Sequence, residues 1–299
     1  MLKEEFIKEV AKRLEAEYTS RKIQVRPYTM IKNNGSSKHG IQIQIEDYHA
    51  CPTVYLDRDY DRFEAGFDSL EDVVTRVCDS LKDMYQKAKY LSEEDFSFEN
   101  LKEKITYRLI STDLNEEKLK EMPHLPFLDF SIVFYALLNL KDQSVESIPI
   151  TNSVMESWGV STSELFDLAD ENTRKLLPEK VEPMFELIEE MAPEGLDLTE
   201  IKNEMPIFVL TNEHCMFGAT SILYQGVMEK MADQMKSNLY VLPSSVHELI
   251  ILPEEADSDI EDFREMICDV NTYHVEREDW LSDHAYFYNW EEKRFVMPA

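Results

Sequence analysis

Leu2, Phe6, Val10 and Leu14 fall every fourth residue, which places them on one face of an amphipathic helix. Residues 23–28 then alternate in polarity, and Asn33-Asn34-Gly35 supplies a turn between strands. Ile41, Ile43 and Ile45 alternate with Gln42 and Gln44, the pattern of a half-buried strand, and 53–56 adds a short one. Ser69 is placed to cap a second helix whose apolar face is Leu70, Val73, Val74, Val77, Leu81 and Met84, running to about Ala88. The chain therefore opens as a helix, a small antiparallel sheet and a helix.

Further on, 105–110 reads as a strand and 115–122 as a short polar helix stopped by Pro123. The run FLDFSIVFYALL at 127–138 reads as one buried strand, with a buried helix as its rival, and 148–151 as its neighbour. Ser161 with Glu164 makes a capping box for a helix to about Lys175. Residues 178–204 are acidic and broken by Pro183, Pro193 and Gly195, which predicts a connector. Strands follow at 207–210 and 219–224, then a helix at 227–235 with Met228, Met231 and Met235 on one side. The apolar runs 239–242 and 249–252 flank a Pro243-Ser244-Ser245 turn, a helix covers 259–271, and 285–288 pairs with 294–297 as a hairpin. The pattern predicts an α+β protein in two parts, with mixed or antiparallel sheets packed by amphipathic helices. Its parts are an N-terminal one at 1–177, the connector at 178–204, and a C-terminal one at 205–299 built on the strand pair 239–252.

Composition narrows the function. Sixty acidic against 31 basic residues give a net charge of −29, which repels nucleic acid and anionic membrane surfaces. No run approaches the roughly 20 apolar residues of a membrane span. The first 18 residues mix acids with apolar side chains and do not read as a signal peptide. Cys51, Cys78, Cys215 and Cys268 are scattered and form no CxxC pair, as in a reduced cytoplasmic protein. Seven glycines include no phosphate-cradling motif, and no metal-ligand spacing is present, so neither cofactor nor metal is expected.

Three features carry candidate chemistry. Ser244, Ser245 and His247 are the weak candidates for a catalytic group, but neighbours on one strand rarely form a triad and the GxSxG elbow is absent. Asp129, in the apolar run, needs a hydrogen-bonding partner, with His124 or Arg108 as the choices. Charge is clustered: 164–204 holds 13 acidic against 4 basic residues, and 254–283 holds 12 against 2. Glu254, Glu255, Asp257, Asp259, Glu261 and Asp262 are the candidate binding residues of such an acidic face. There is also an internal echo. Ile148-Pro-Ile-Thr-Asn152 leads to Trp158-Gly159, and Phe208-Val-Leu-Thr-Asn212 leads to Phe217-Gly218, either a duplication or similar turn chemistry.

Several words of the sequence resemble the bacterial family of unknown function DUF5688, seen mainly in Firmicutes. They are PTVYL at 52–56, YRLI at 107–110, PHLPFLDFSIVFYALL at 123–138, and ITN with WG within 150–159. VLTN at 209–212, LPSSVHE at 242–248, DVN at 269–271 and LSD at 281–283 complete the set, in order along the chain. The C-terminal half bears a weaker likeness to the DUF1444 (YtpQ-like) family. The resemblance implies a two-part α+β protein with no assigned activity or site, and a link to mobile elements or phage defence. The expectation ranked first is a non-enzymatic cytoplasmic protein whose acidic C-terminal face binds a partner with a basic surface, including as a nucleic-acid-mimicking decoy. A hydrolase at Ser244, Ser245 and His247, and a small-ligand sensor, rank below it.

Overall fold

A computed structural model of the chain describes residues 1–17, 23–45, 51, 53–88, 93–141, 144–191, 206–255 and 260–296. The chain divides into two compact units, Met1–Asn100 and Leu101–Ala299. The boundary thus falls well before the anticipated connector.

In the first unit, α1 (Lys3–Glu17) precedes a sheet of β1 (Ile23–Ile31), β2 (Ser37–Ile45) and β3 (Thr53–Tyr55), antiparallel in that order. Asn34 and Gly35 both have positive φ, which closes the β1–β2 turn. Then come α2 (Asp57–Glu64) and α3 (Leu70–Ala88). Ser69 caps α3 by accepting the Asp72 N–H through Oγ, and Asp72 accepts the Ser69 N–H in return. Phe6, Val10 and Leu14 of α1 bury against Ile41 and Ile43 of β2 and Val73 and Val77 of α3. Burial of each such side chain contributes about 1.5–3 kcal/mol. This is the helix–sheet–helix order that the periodicity predicts.

The second unit begins near the single turn α4 (Phe98–Leu101). It holds a four-stranded sheet of β4 (Ile105–Ser111), β6 (Phe130–Lys141), β5 (His124–Phe127) and β7 (Ser144–Pro149). β6 pairs with the other three, all antiparallel. The run 127–138 is therefore no single strand. Leu128, at φ 55°, and Asp129 form a turn that folds it into the β5–β6 hairpin. α5 (Glu116–Leu119) lies between β4 and β5 in sequence, and α6 (Asn152–Trp158) and α7 (Thr162–Leu176) follow β7. Ser161 and Glu164 form the expected capping box on α7. The outer edge of β4 is closed by side chains, since Thr173 Oγ1 accepts the Tyr107 N–H at 3.1 Å and Thr220 Oγ1 the Leu109 N–H at 3.4 Å.

The other sheet has six strands, all antiparallel, in the order β13 (Arg294–Val296), β12 (Tyr286–Asn289), β10 (Leu239–Ser245), β11 (Glu248–Pro253), β9 (Phe208–Asn212) and β8 (Glu179–Pro183). β8 lies inside the expected connector. Its Val181 pairs with Leu210 and its Pro183 occupies a strand end, where a missing N–H is tolerated. α8 (Met184–Met191) continues from it, and 192–205 lie outside the described residues. Residues 219–224, expected as a strand, instead belong to a 3-10 helix (Gly218–Leu223) and its C-cap Tyr224, with Ser221 Oγ donating to Thr211 O. α9 (Val227–Met235) buries Met228 and Met231. α10 (Ile260–His274) lays Ile260, Phe263 and Ile267 over Tyr240, Leu242, Leu252 and Phe287. Among the described residues no helix is long and apolar enough to cross a membrane.

Candidate functional site

The β10–β11 hairpin turns at Val246-His247, between the paired Ser245 and Glu248. Pro243, Ser244 and Ser245, expected to make the turn, are instead the last residues of β10, with an irregularity in register between Pro243 and Ser245. Ser245 Oγ accepts the His247 N–H at 3.0 Å, and Ser244 Oγ donates to Glu248 Oε1 at 3.1 Å. His247 Nδ1 accepts the Phe217 N–H at 3.0 Å, so the ring proton resides on Nε2, which faces Asp279 Oδ1 at 3.3 Å. Both ring nitrogens are thus engaged, and no lone pair is left to activate either serine. His247 instead ties the hairpin to two loops. Asp279 strengthens the tie by accepting the Val246 N–H through its carbonyl at 2.8 Å.

The loop after β9 is shaped by Asn212. Its Oδ1 accepts the His214 and Met216 N–H groups, and its Nδ2 donates to Met216 O at 2.8 Å. Cys215 and Phe217 are held at φ 51° and 57°, a left-handed conformation unfavourable for residues with a Cβ. Gly218 must follow, because a Cβ there would lie 2.2 Å from Thr211 Oγ1 and 2.6 Å from His247 O.

This strained loop sets the Phe217 ring on Arg108 of β4. The guanidinium Cζ lies 3.6 Å from the Phe217 centroid and 4.0 Å from that of Tyr135. Two ring faces this close cannot share one side of a guanidinium, so Arg108 is held between them. Arg108 is only 8% exposed, and Nη2 donates to Ser147 Oγ at 2.5 Å. No carboxylate among the described residues pairs with it. Burial pushes its pKa down to about 10, so it stays charged at neutral pH.

A second cluster forms at Asp129, and its partners are neither His124 nor Arg108 as expected. His124 Nδ1 faces Met122 O. Asp129 Oδ1 accepts the Tyr286 hydroxyl at 2.5 Å, and Oδ2 lies 3.2 Å from Ser282 Oγ and 3.0 Å from His284 Nδ1. Asn271 Nδ2 donates to Ser282 O and to Asp283 Oδ1. Burial, and then the Asp129 charge, push the Tyr286 hydroxyl far above the usual phenol range. The cluster fastens the β5–β6 turn to β12, with Phe130 packed on Tyr286 at 5.0 Å. Among the described residues no three His, Cys, Asp or Glu side chains converge as metal ligands.

The acidic candidates are spread along the β11–α10 region. Glu254 and Glu255 are exposed after β11, with Glu254 accepting from Asn238 Nδ2. Glu261 and Asp262 are exposed in the first turn of α10, and Asp257 and Asp259 lie outside the described residues. The outward side of α10 adds what sequence reasoning missed. Among its exposed acids Asp262, Glu265 and Asp269 stand Met266, 52% exposed, and Tyr273, 75% exposed. Spacings of 262, 266, 269 and 273 were the available signal, since they share one helical face.

The fold is that of an α+β protein built on three antiparallel sheets, with two polar clusters in its larger unit. The chain belongs to DUF5688, a family of unknown function, which it matches over residues 3–290. Among curated proteins and among solved structures nothing matches it. That match does not extend to DUF1444. The words carrying the resemblance meet in space: YRLI, SIVFYALL, VLTN and LPSSVHE contribute to the Arg108–His247 region, and FLDF, DVN and LSD to the Asp129 cluster.

Proposed function

We propose that this protein is a non-enzymatic binding protein whose acidic C-terminal face engages a basic surface on a protein partner. The observation that carries the reading is the outward side of α10, where Met266 and Tyr273 are exposed among Asp262, Glu265 and Asp269. Large exposed apolar side chains provide contact area, and the surrounding carboxylates select a cationic partner and repel nucleic acid and anionic lipid. The 254–283 stretch, which contains α10, concentrates 12 acidic residues against 2 basic, and this density of negative charge favours a cationic partner. A sharper form is a cytoplasmic decoy that imitates nucleic-acid phosphates, acting in mobile-element or phage conflict. Hydrolysis at Ser244 or Ser245 has weaker support, because both nitrogens of His247 are engaged.

The test is capture from the source cells with the tagged full chain and with a variant carrying Asp262→Asn, Glu265→Gln and Asp269→Asn. Expected is a partner with a basic surface, held at low salt by the wild type and lost by the variant. Identical capture by both proteins would contradict the proposal.

A further inference from the structure

Arg108 is a cation buried without a carboxylate among the described residues, in a chain that carries 60 acidic side chains. Removing a charge from water without pairing it is strongly unfavourable. The two aromatic rings offset part of that cost, but they contact the guanidinium through its faces and leave its in-plane N–H groups to other partners. Ser147 takes one of them. Tyr135, Ser147, Phe217 and His247, which border the guanidinium and its loop, are each half-buried, so the group sits just beneath a polar and aromatic rim. The loop that brings Phe217 here holds two residues in left-handed backbone and is braced by Asn212 and His247. Strain held in place by such bracing is characteristic of ligand clamps.

We infer that Arg108, between Tyr135 and Phe217, binds the carboxylate of a small organic acid. A carboxylate is flat and can lie in the guanidinium plane, accepting two parallel N–H bonds in the gap between the rings. A tetrahedral phosphate projects oxygens out of that plane toward the rings. This inference does not depend on the acidic face of α10.

The test uses the full chain, titrated with acetate, succinate or inorganic phosphate at constant ionic strength made up with sodium chloride. Thermal unfolding and the Arg108 side-chain N–H resonance are followed. Expected is a saturable rise in melting temperature with a carboxylate, together with a shift of that resonance. Arg108→Met should weaken carboxylate binding about tenfold or more, as loss of a charge-assisted hydrogen bond implies. Arg108→Lys, which keeps the charge but loses the planar fork, should also bind more weakly. Binding of phosphate in preference to carboxylate would overturn the inference. So would the absence of any saturable effect, or equal carboxylate binding by wild type and Arg108→Lys.

Discussion

His247 shows how one side chain can look catalytic in sequence and act as a brace in the fold. Its nitrogens hold the Phe217 N–H and Asp279, and its carbonyl accepts from Thr211 Oγ1. Gly218 is pressed against the same group, so Gly218→Ala is expected to lower stability by about 1–3 kcal/mol or more through overpacking, read by urea unfolding. Tyr286→Phe removes the hydroxyl that Asp129 accepts and leaves a half-satisfied carboxylate. Its expected cost is about 1–3 kcal/mol in the same assay. Burial raises the hydroxyl pKa of Tyr107, Tyr224 and Tyr286, with Asp170 and Asp129 adding to it for the first and last. Their neutral forms are favoured in the fold, so the stability they contribute is full below the unfolded phenol pKa of about 10. It is lost as pH rises beyond that value. Urea midpoints should therefore fall above about pH 10, and replacing all three by Phe should flatten the decline. The partners of Asp129 were not legible in the sequence, because Ser282, His284 and Tyr286 lie more than 150 residues away in the chain. Local spacing points to His124 and Arg108, which have other partners.

At the level of elements, periodicity was sufficient wherever one face is buried and the other wet. Ile41 and Ile43 of β2, the α3 stripe from Leu70 to Leu81 and the Ser161–Glu164 box all fall where the pattern places them. It failed where both faces are covered or where a turn lacks glycine. The Leu128-Asp129 turn interrupts an apolar run without Gly or Pro, and the 3-10 helix at 218–223 has the β-branched content of a strand. β8 was hidden by the charge of 178–204; among the described residues it pairs along one edge, with β9. The two echo segments also diverge. Thr151 caps α6 and Gly159 ends it, whereas Asn212 shapes a loop and Phe217 itself is left-handed. Edge protection of β4 gives a direct prediction. Thr173→Val keeps the side-chain shape but leaves the Tyr107 N–H unpaired, and should cost about 1–3 kcal/mol in urea unfolding. Thr173→Ser, which keeps the hydroxyl, should retain more of that stability.

At the scale of the molecule, charge was the part of the candidate site most legible in sequence, and contact was the least. The clustering of acids in 254–283 is visible from composition, whereas the exposure of Met266 and Tyr273 needed the packing of Ile260, Phe263 and Ile267 to define which side of α10 faces outward. Arg108 was invisible as a site for the opposite reason: nothing local says that Phe217, more than 100 residues later, covers it. The acidic-face proposal stands or falls on screening. The most direct measurement is the affinity of the captured partner across a salt series, for the wild type and for the Asp262→Asn, Glu265→Gln, Asp269→Asn variant. The proposal predicts a wild-type affinity that falls steeply as the screening length shrinks from about 30 Å to below about 10 Å. It predicts weaker and flatter binding for the variant. Equal affinities with equal salt slopes would contradict it.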